Sequence, residues 1–551
     1  MRKEKIETTD IYNKYQKAHD YMEKKGIVRK TNKNWDMYTG NQWKGLQTGG
    51  EELPMMNVIK PIIKYKVSTI AQNNMTANFT DAKGREDLND IFKLLNEKFA
   101  QSWEKAKMDD VKWQMTKNSA IQGDDYCLFY SQDTNDRPQI LNNTSILFGD
   151  ENISELQNQP WIIIRERLRR KDVIETAKRN HISDVEIEAI ATDDDTEDEI
   201  FNKDEVSDKV TSYLYMEKKD GVVYMTKATK TCIYQPERAF VSTRHDEVAG
   251  GLSMYPIVQL RWEPAPNSMR GLSGVAPLIP NQIELNKTLA RRAVAVRLAA
   301  FPRIAYDKNA VEDPSVLDKV GAAIGVNNSA QSISQSIAYL NATNISSDAQ
   351  QLFSDLLDQT RELDGAGDTA IGNINPARMS AEAIASVREQ SQTPLNEQVR
   401  LNAQFVEDVA LVWFDMWTTW DVDEFMTPAT NPVGQPVVGE DGKPAMRPMT
   451  KQELDTLKPS VRIDVSEDNR WTKVAEQQAL DNLLDKGHIT FDEYIELVPE
   501  NSSLPTGKMQ KLMERRKAMQ AQMAQQQAEM QAQMEQTQGN MPPNTQSQNP
   551  Q

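Results

Sequence analysis

Cysteine occurs only twice in the 551 residues, at Cys127 and Cys232, and histidine four times, at His19, His181, His245 and His488. Two cysteines far apart cannot form a disulfide framework, and they read as small buried hydrophobes in a reducing compartment. No histidine has metal-ligand spacing to a cysteine or to another histidine, so no metal site is expected. No run of about 18 apolar residues occurs, and the start MRKEKIETTD has no apolar signal core. The expectation is a chain made in the cytoplasm that neither is secreted nor crosses a membrane. Basic charge is also short: 64 Lys and Arg stand against 81 Asp and Glu, for a net −17. That balance excludes nonspecific wrapping of nucleic acid, which needs many cations against phosphates. It leaves open a surface past which nucleic acid moves without adhering.

Signatures of catalysis are missing as well. No phosphate-binding loop is present; "GEDGKP", Gly439 to Pro444, lacks both the spacing and the terminal hydroxyl. "GLSG", Gly271 to Gly274, lacks the spacing of a nucleophile elbow, and no apolar strand runs directly into it. The acidic run "TDDDTEDE", Thr192 to Glu199, lacks the alternating ligands and turn glycine of a calcium loop and reads as a solvated loop. No catalytic residue, cofactor or metal ligand is therefore assigned, and the chain is read as not an enzyme. A metal-dependent hydrolase or nuclease with dispersed acids remains an alternative.

What is present is a sequence of long periodic segments. Residues 8–26 read as an amphipathic helix carrying Ile11, Tyr15, Ala18 and Met22. "WDMYTGNQW", Trp35 to Trp43, places aromatics on either side of a Thr-Gly-Asn turn. Asn57 to Ile70 is an apolar segment broken by Pro61, and 86–120 reads as helix with Ile91, Leu94, Leu95 and Phe99 at helical spacing. From Asp125 short β-rich runs follow: "YCLFYS", "RPQILNNTSILFGD" and "WIIIRERL". After helix in 171–204, residues 210–235 form a hairpin turning at Asp220-Gly221, and "YPIVQLRW", Tyr255 to Trp262, is one more strand. The first 265 or so residues thus make an α+β body.

"RGLSGVAPLIPNQIELNK", Arg270 to Lys287, then starts a long helix, with Pro277 and Pro280 fitting its first turn and Pro302 ending it. Counted from Val275 it would be roughly 40 Å long. Ala290, Ala293, Ala295, Ala299 and Ala300 permit close neighbours, and four basic residues (Lys287, Arg291, Arg292, Arg297) face one acid, Glu284. Residues 303–344 hold strand-like "RIAY", "AAIGV" and "SIAYLN" and a short helix opened by Asp313-Pro314. A second long helix capped at Ser346-Ser347-Asp348 carries Leu352, Phe353, Leu356, Leu357 and Leu363, and its six acids to one arginine oppose the first helix in charge. A polar loop, "GAGDTAIGNINPAR" (365–378), leads into a third helix, 379–420, kinked or broken at Pro394 and rich in tryptophan at its end. "VVGEDGKP" reads as a turn, "VRIDV" (461–465) as a closing strand, and 472–500 as two short helices around Gly487. Met519, Met523, Met530 and Met534 form one narrow stripe suited to self-association, and the final "GNMPPNTQSQNPQ" is expected to be disordered.

This order of segments resembles the portal, or head-to-tail connector, proteins of tailed bacteriophages. The likeness rests on "WDMYTGNQW" and "NVIKPIIKYKVSTI", on Arg270 to Gly274 followed by Gln282 and Asn286-Lys287, and on "MSAEAIASVREQS". It implies an α+β, mainly helical ring subunit. Its parts would be an N-terminal wing (1–270), a first stem helix (271–301), a clip (302–345) and a second stem helix (346–364). A tunnel loop (365–378), a long wing helix with closing β elements (379–466), a crown (467–507) and a Gln/Met-rich helix with its tail (508–551) would follow. The resemblance implies a homo-oligomer, twelve subunits in virions, at one capsid vertex, through which double-stranded DNA is packaged and ejected. It implies as partners the terminase large subunit, then head-completion, adaptor and tail proteins, together with major capsid and scaffolding proteins, and no membrane. Asn373, Asn375 and Arg378 are the expected transient phosphate contacts. Lys287, Arg291, Arg292 and Arg297 are expected to pair with Asp355, Asp358 and Glu362 across the stem. Another head or tail scaffold protein is the nearest alternative.

Overall fold

The computed structural model describes residues 7–44, 53–81, 89–130, 134–193, 208–239, 251–300, 303–309, 311, 313–318, 337–340, 347–363, 393–421, 425–428, 446–449, 460–467, 480–490 and 494. The chain divides into two units, Met1–Val465 and Ser466–Gln551. It is mixed α and β, about half helical, with antiparallel sheets. Among the described residues no helix is long and apolar enough to cross a membrane.

The first unit opens with α1 (Thr8–Lys25) and α2 (Ile27–Thr39), separated by Gly26 in the left-handed conformation. Ile11, Tyr15 and Met22 are buried along α1, with Ala18 packed beside them, as the periodicity requires. The aromatic stretch expected as a turn is instead the end of α2. Trp35 and Tyr38 meet edge to face on the helix, and Gly40 (φ 103) caps it. Next comes α3 (Ile59–Ala71), which Pro61 does not break because it sits in the first turn, where no amide donor is needed. The helix expected over 86–120 is two helices, α4 (Asn89–Lys105) and α5 (Met108–Gln122), turned at Lys107, whose φ is 54. That left-handed residue lets Phe99 before it and Met108 after it enter the same core.

Strand β1 (Asn73–Thr80) lies between α3 and α4. Strands β2 (Asp124–Leu128), β3 (Gln139–Leu141), β4 (Ile146–Phe148) and β5 (Trp161–Arg169) lead to α6 (Arg170–Arg179) and α7 (Asp184–Glu188). Strands β6 (Lys209–Lys219), β7 (Val222–Ala228), β8 (Ile233–Ala239) and β9 (Ile257–Arg261) complete the body. One antiparallel sheet runs β4-β5-β6-β7-β8, and a second runs β3-β2-β9. The turn between β6 and β7 has both Asp220 and Gly221 at positive φ, as Asp-Gly hairpins need. The larger sheet is covered on both faces, which explains the unbroken "WIII". Ile162 and Ile164 enter the main core, while Ile163 on the opposite face packs with Tyr213 and Tyr215 under α1.

Beyond the body come α8 (Ile279–Ala300), β10 (Arg303–Tyr306), β11 (Ile337–Leu340) and α9 (Ser347–Leu363). Then follow α10 (Asn396–Trp420), β12 (Met426–Pro428), β13 (Met446–Pro448) and β14 (Ser460–Glu467), which pairs with β1. A single turn at Thr393–Leu395, holding Pro394, precedes α10. Trp413 and Trp417 of α10 are fully buried against Phe99, Phe129 and Phe79, so this helix is the spine of the main core, as its tryptophan spacing indicates. "AAIGV", "VVGEDGKP", the acidic residues from Asp194 on, the loop 365–378 and the Met/Gln stripe lie outside the described residues. In the second unit residues 480–485 are helical, Gly487 (φ 68) ends the turn, and Tyr494 Oη donates to Asp481 Oδ1 at 2.6 Å.

Candidate functional site

The segment from Arg270 to Asn286 carries no reactive chemistry, yet the fold spends many of its buried polar contacts on it. Arg270 is nearly buried. Its Nε and Nη2 donate to the Glu151 carboxylate at 2.9–3.3 Å, and Nη2 also donates to the Ile146 carbonyl at 2.8 Å. Nη1 donates to the Asn143 carbonyl at 2.6 Å and to Asp124 Oδ2 at 3.4 Å. The guanidinium lies 4.9 Å from the Phe148 ring centroid. Burial alone would lower the Arg270 pKa, but Glu151, Tyr126 and Asp124 outweigh it and the net shift is upward. Burial pushes Asp124 upward, against the opposing pull of Arg270. Its neighbour Asp125 is driven well above the usual carboxylate range by burial, against a hydrogen bond from Asn118.

The two glycines that follow are sterically required. A Cβ on Gly271 would stand 2.3 Å from the Gly123 carbonyl oxygen, and one on Gly123 2.5 Å from that of Gly271. A Cβ on Gly274 would meet Trp262 Nε1 at 2.8 Å. Between them Ser273 Oγ donates to the Ile121 carbonyl at 2.6 Å and accepts from the amides of Val275 and Ala276, capping the turn that leads into α8. In the first two turns of α8, Gln282 accepts from the Val58 amide at 2.9 Å and donates to the Met56 carbonyl at 2.7 Å. Asn286 accepts from the Met56 amide and donates to Gln42. The root of α8 is therefore fixed by amide networks to Gln42, just past α2, and to residues 56–58, just before α3, and by Val275, Leu278, Ile279 and Leu285 in one apolar cluster with α2, α3 and α5.

From that root α8 runs out and α9 runs back. Asn281, early in α8, donates to Thr360, late in α9, at 3.1 Å; Arg292, farther along α8, stacks 5.6 Å from the ring of Phe353, earlier in α9. The two helices are thus antiparallel. Phe353, Leu356 and Leu357 pack toward the body, whereas Leu352, expected on the same stripe, is 47% exposed. At the far end β10 and β11 pair antiparallel, with Arg303 opposite Leu340 and Tyr306 opposite Ile337.

The ion pairs formed by Lys287 (4.0 Å) and Arg291 (3.5 Å) run to Glu284 of their own helix, and Arg292 takes the face of Phe353. Glu284 lies three and seven positions away on one face of α8, within reach of both. Asp355, Asp358 and Glu362 are exposed on α9, while the described ion pairs of Lys287 and Arg291 lie within α8. Asn373, Asn375 and Arg378 lie outside the described residues. The sequence drew attention to Gln282 and Asn286, and to Gln42 only as part of the Trp35–Trp43 stretch, but not to Asp124 or Glu151; no local pattern marks residues that act on a segment more than a hundred positions away.

Both cysteines are buried free thiols. Burial raises both, Cys232 to about 11, so neither is a reactive thiolate. His19, Asp20 and Glu23 bring three ligand atoms together on the outer side of α1, a grouping that a search for His and Cys partners passes over. No protein-family model and no curated protein matches the chain.

Proposed function

We propose that the chain is the subunit of a portal-type ring: a conduit at one capsid vertex through which double-stranded DNA enters and leaves. The observation that carries this reading is the out-and-back arm, α8 and α9 antiparallel and joined through the β10–β11 ladder, with its root locked into the α+β body. A rod anchored at one end is what a ring needs to line a channel, since identical rods pack side by side about the symmetry axis. Val294 and Val296 on α8 and Leu352 on α9 are exposed apolar residues on that rod and would be covered by a neighbouring copy. The net charge of −17 supports passage of DNA rather than retention, because each basic contact to phosphate is costly to leave.

In this reading 302–345 forms the clip on which the terminase docks during packaging and head-completion proteins afterwards. The chain itself supplies no chemical step; the packaging energy comes from the terminase. Negative-stain images of the purified chain test the proposal. The expected result is annular particles with a central opening wide enough for a duplex. A monomer that stays monomeric with capsid and scaffolding proteins present would refute it. Replacing 302–345 by a short linker is expected to leave rings but abolish DNA packaging. Normal packaging by that variant would move the reading to another head or tail scaffold.

A further inference from the structure

Helix α10 and strand β9 leave between them a cleft with a cavity volume of about 70 Å³, bounded on its third side by the turn at 154–157. Its inner wall is apolar: Leu401, Phe405 and Val412 from α10 face Ile257 from β9. Most of the neutral polar groups lining it are already engaged. Gln157 accepts from the Tyr255 amide and from Lys218 Nζ, and Gln259 donates to Tyr126 Oη and to the Met269 carbonyl. The carboxyls of Asp408 and Glu155 differ, for neither accepts a hydrogen bond among the described residues. Arg261, the cation in the same wall, donates to the Ser154 carbonyl at 3.4 Å. On the other side Asp408 borders a more open hollow with Arg400 and Glu407. In the cleft itself two acids, Glu155 and Asp408, therefore stand with one arginine, Arg261, beside an apolar wall.

We propose that this cleft binds an alkylammonium group, with its methylene stem along Phe405, Leu401 and Val412 and its charged head between Asp408 and Glu155. An amphipathic cation matches both parts of the lining, apolar wall and acidic mouth. An anion would be repelled by the carboxylates. A hard divalent cation would need six or more oxygen ligands, and the apolar wall together with amides already engaged does not supply them. Burial raises the Asp408 carboxyl to about 7, with Glu407 and Glu155 adding to the shift and Arg261 opposing it. Binding therefore strengthens as pH rises through that value, when Asp408 gains its charge.

The probe is 1,4-diaminobutane, followed by titration calorimetry and by thermal unfolding of the full chain. The expected result is saturable binding at pH 8 that weakens about tenfold or more at pH 6 and in Asp408→Asn, a loss of one desolvated charge pair. Glu155→Gln is the second variant, so that the proposal does not depend on one substitution folding. The same ammonium chemistry is also offered by a lysine side chain of a second copy. Sedimentation velocity of the wild type and Asp408→Asn separates the sources: assembly that dissociates in the variant, without diamine binding, assigns the site to a neighbouring lysine. Absence of both effects, or equal diamine affinity in wild type and both variants, overturns the proposal.

Discussion

Arg270 and Glu151 meet at 2.9 Å with about a tenth of each side chain exposed, and this pair holds the root of the α8–α9 arm to the α+β body. Its geometry bears on stability more through what removal leaves behind than through the strength of the pair. Arg270→Met strips the only described cation from Glu151 and Asp124 and takes a donor from four groups, the Asn143 and Ile146 carbonyls and the Glu151 and Asp124 carboxylates. The expected cost is about 3–5 kcal/mol, read from urea unfolding midpoints. Glu151→Gln retains a hydrogen-bond acceptor and should cost less. Equal stability of Arg270→Met and wild type would show that the arm is held by its apolar contacts alone.

Gly271 makes a separate demand at the same root. Gly271→Ala places a methyl group 2.3 Å from backbone oxygen, a contact no side-chain rotation relieves. The turn must open away from β2, which breaks the amide contact from Leu272 to the Glu263 carbonyl. A loss of about 1–3 kcal/mol is expected, with faster amide hydrogen exchange at Leu272 and Gly274 before exchange elsewhere. Gly221→Ala in the β6–β7 turn has open space around the added methyl, so its strain comes from the positive φ alone and its cost is expected to be about 1 kcal/mol. A larger loss at Gly221 than at Gly271 would contradict the close-approach argument.

These contrasts mark how far the sequence could be read. The hairpin at Asp220-Gly221 was legible because the turn type is fixed by two adjacent residues. The burial of Trp413 and Trp417 was legible because they lie four apart on one helix. The break between α4 and α5 was not, for Lys107 takes a left-handed conformation with no glycine or proline to announce it. Gly40 was visible as punctuation but was read as the centre of a turn when it is a helix cap. The root of the arm was half legible. Arg270 to Asn286 stood out as a motif, while its partners Gln42, Asp124 and Glu151 lie 119 to 244 positions away, beyond any periodicity. The second long helix was found by its stripe, yet Leu352 faces outward, because a stripe fixes a face only to within about one residue.

The amide network at the root gives a third prediction. Asn286 joins the Met56 amide to Gln42, and Gln282 joins Val58 and Met56, so α8 reads the backbone of 56–58 through two side chains one turn apart. Asn286→Leu fills a similar volume but leaves the Met56 amide and the Gln42 side-chain oxygen without partners, while Gln42 Nε2 keeps the Met37 carbonyl. A loss of about 1–3 kcal/mol is expected. The double variant Asn286→Leu with Gln42→Leu should recover part of it, since replacing both partners removes the unsatisfied oxygen. Strict additivity of the two changes in chemical denaturation would mean that the two residues act independently.

Asp408 supplies the pH dependence. Its carboxyl is raised by burial, by Glu407 and by Glu155, with Arg261 opposing, to about 7, whereas an unfolded aspartate titrates near 4. Between those values the folded chain holds the proton more tightly than the unfolded chain does. Stability from this group is therefore greatest in acid and is lost as pH rises from about 4 through about 7. Asp408→Asn keeps the shape and removes the charge, so it should match wild type near pH 4 and exceed it at pH 8 by an amount on the order of 2 kcal/mol. Unfolding midpoints of both proteins across that range give the comparison directly. The opposite sign, with the variant weaker at pH 8, would mean that Arg261 overcomes burial and that Asp408 is held as a paired carboxylate in the folded protein.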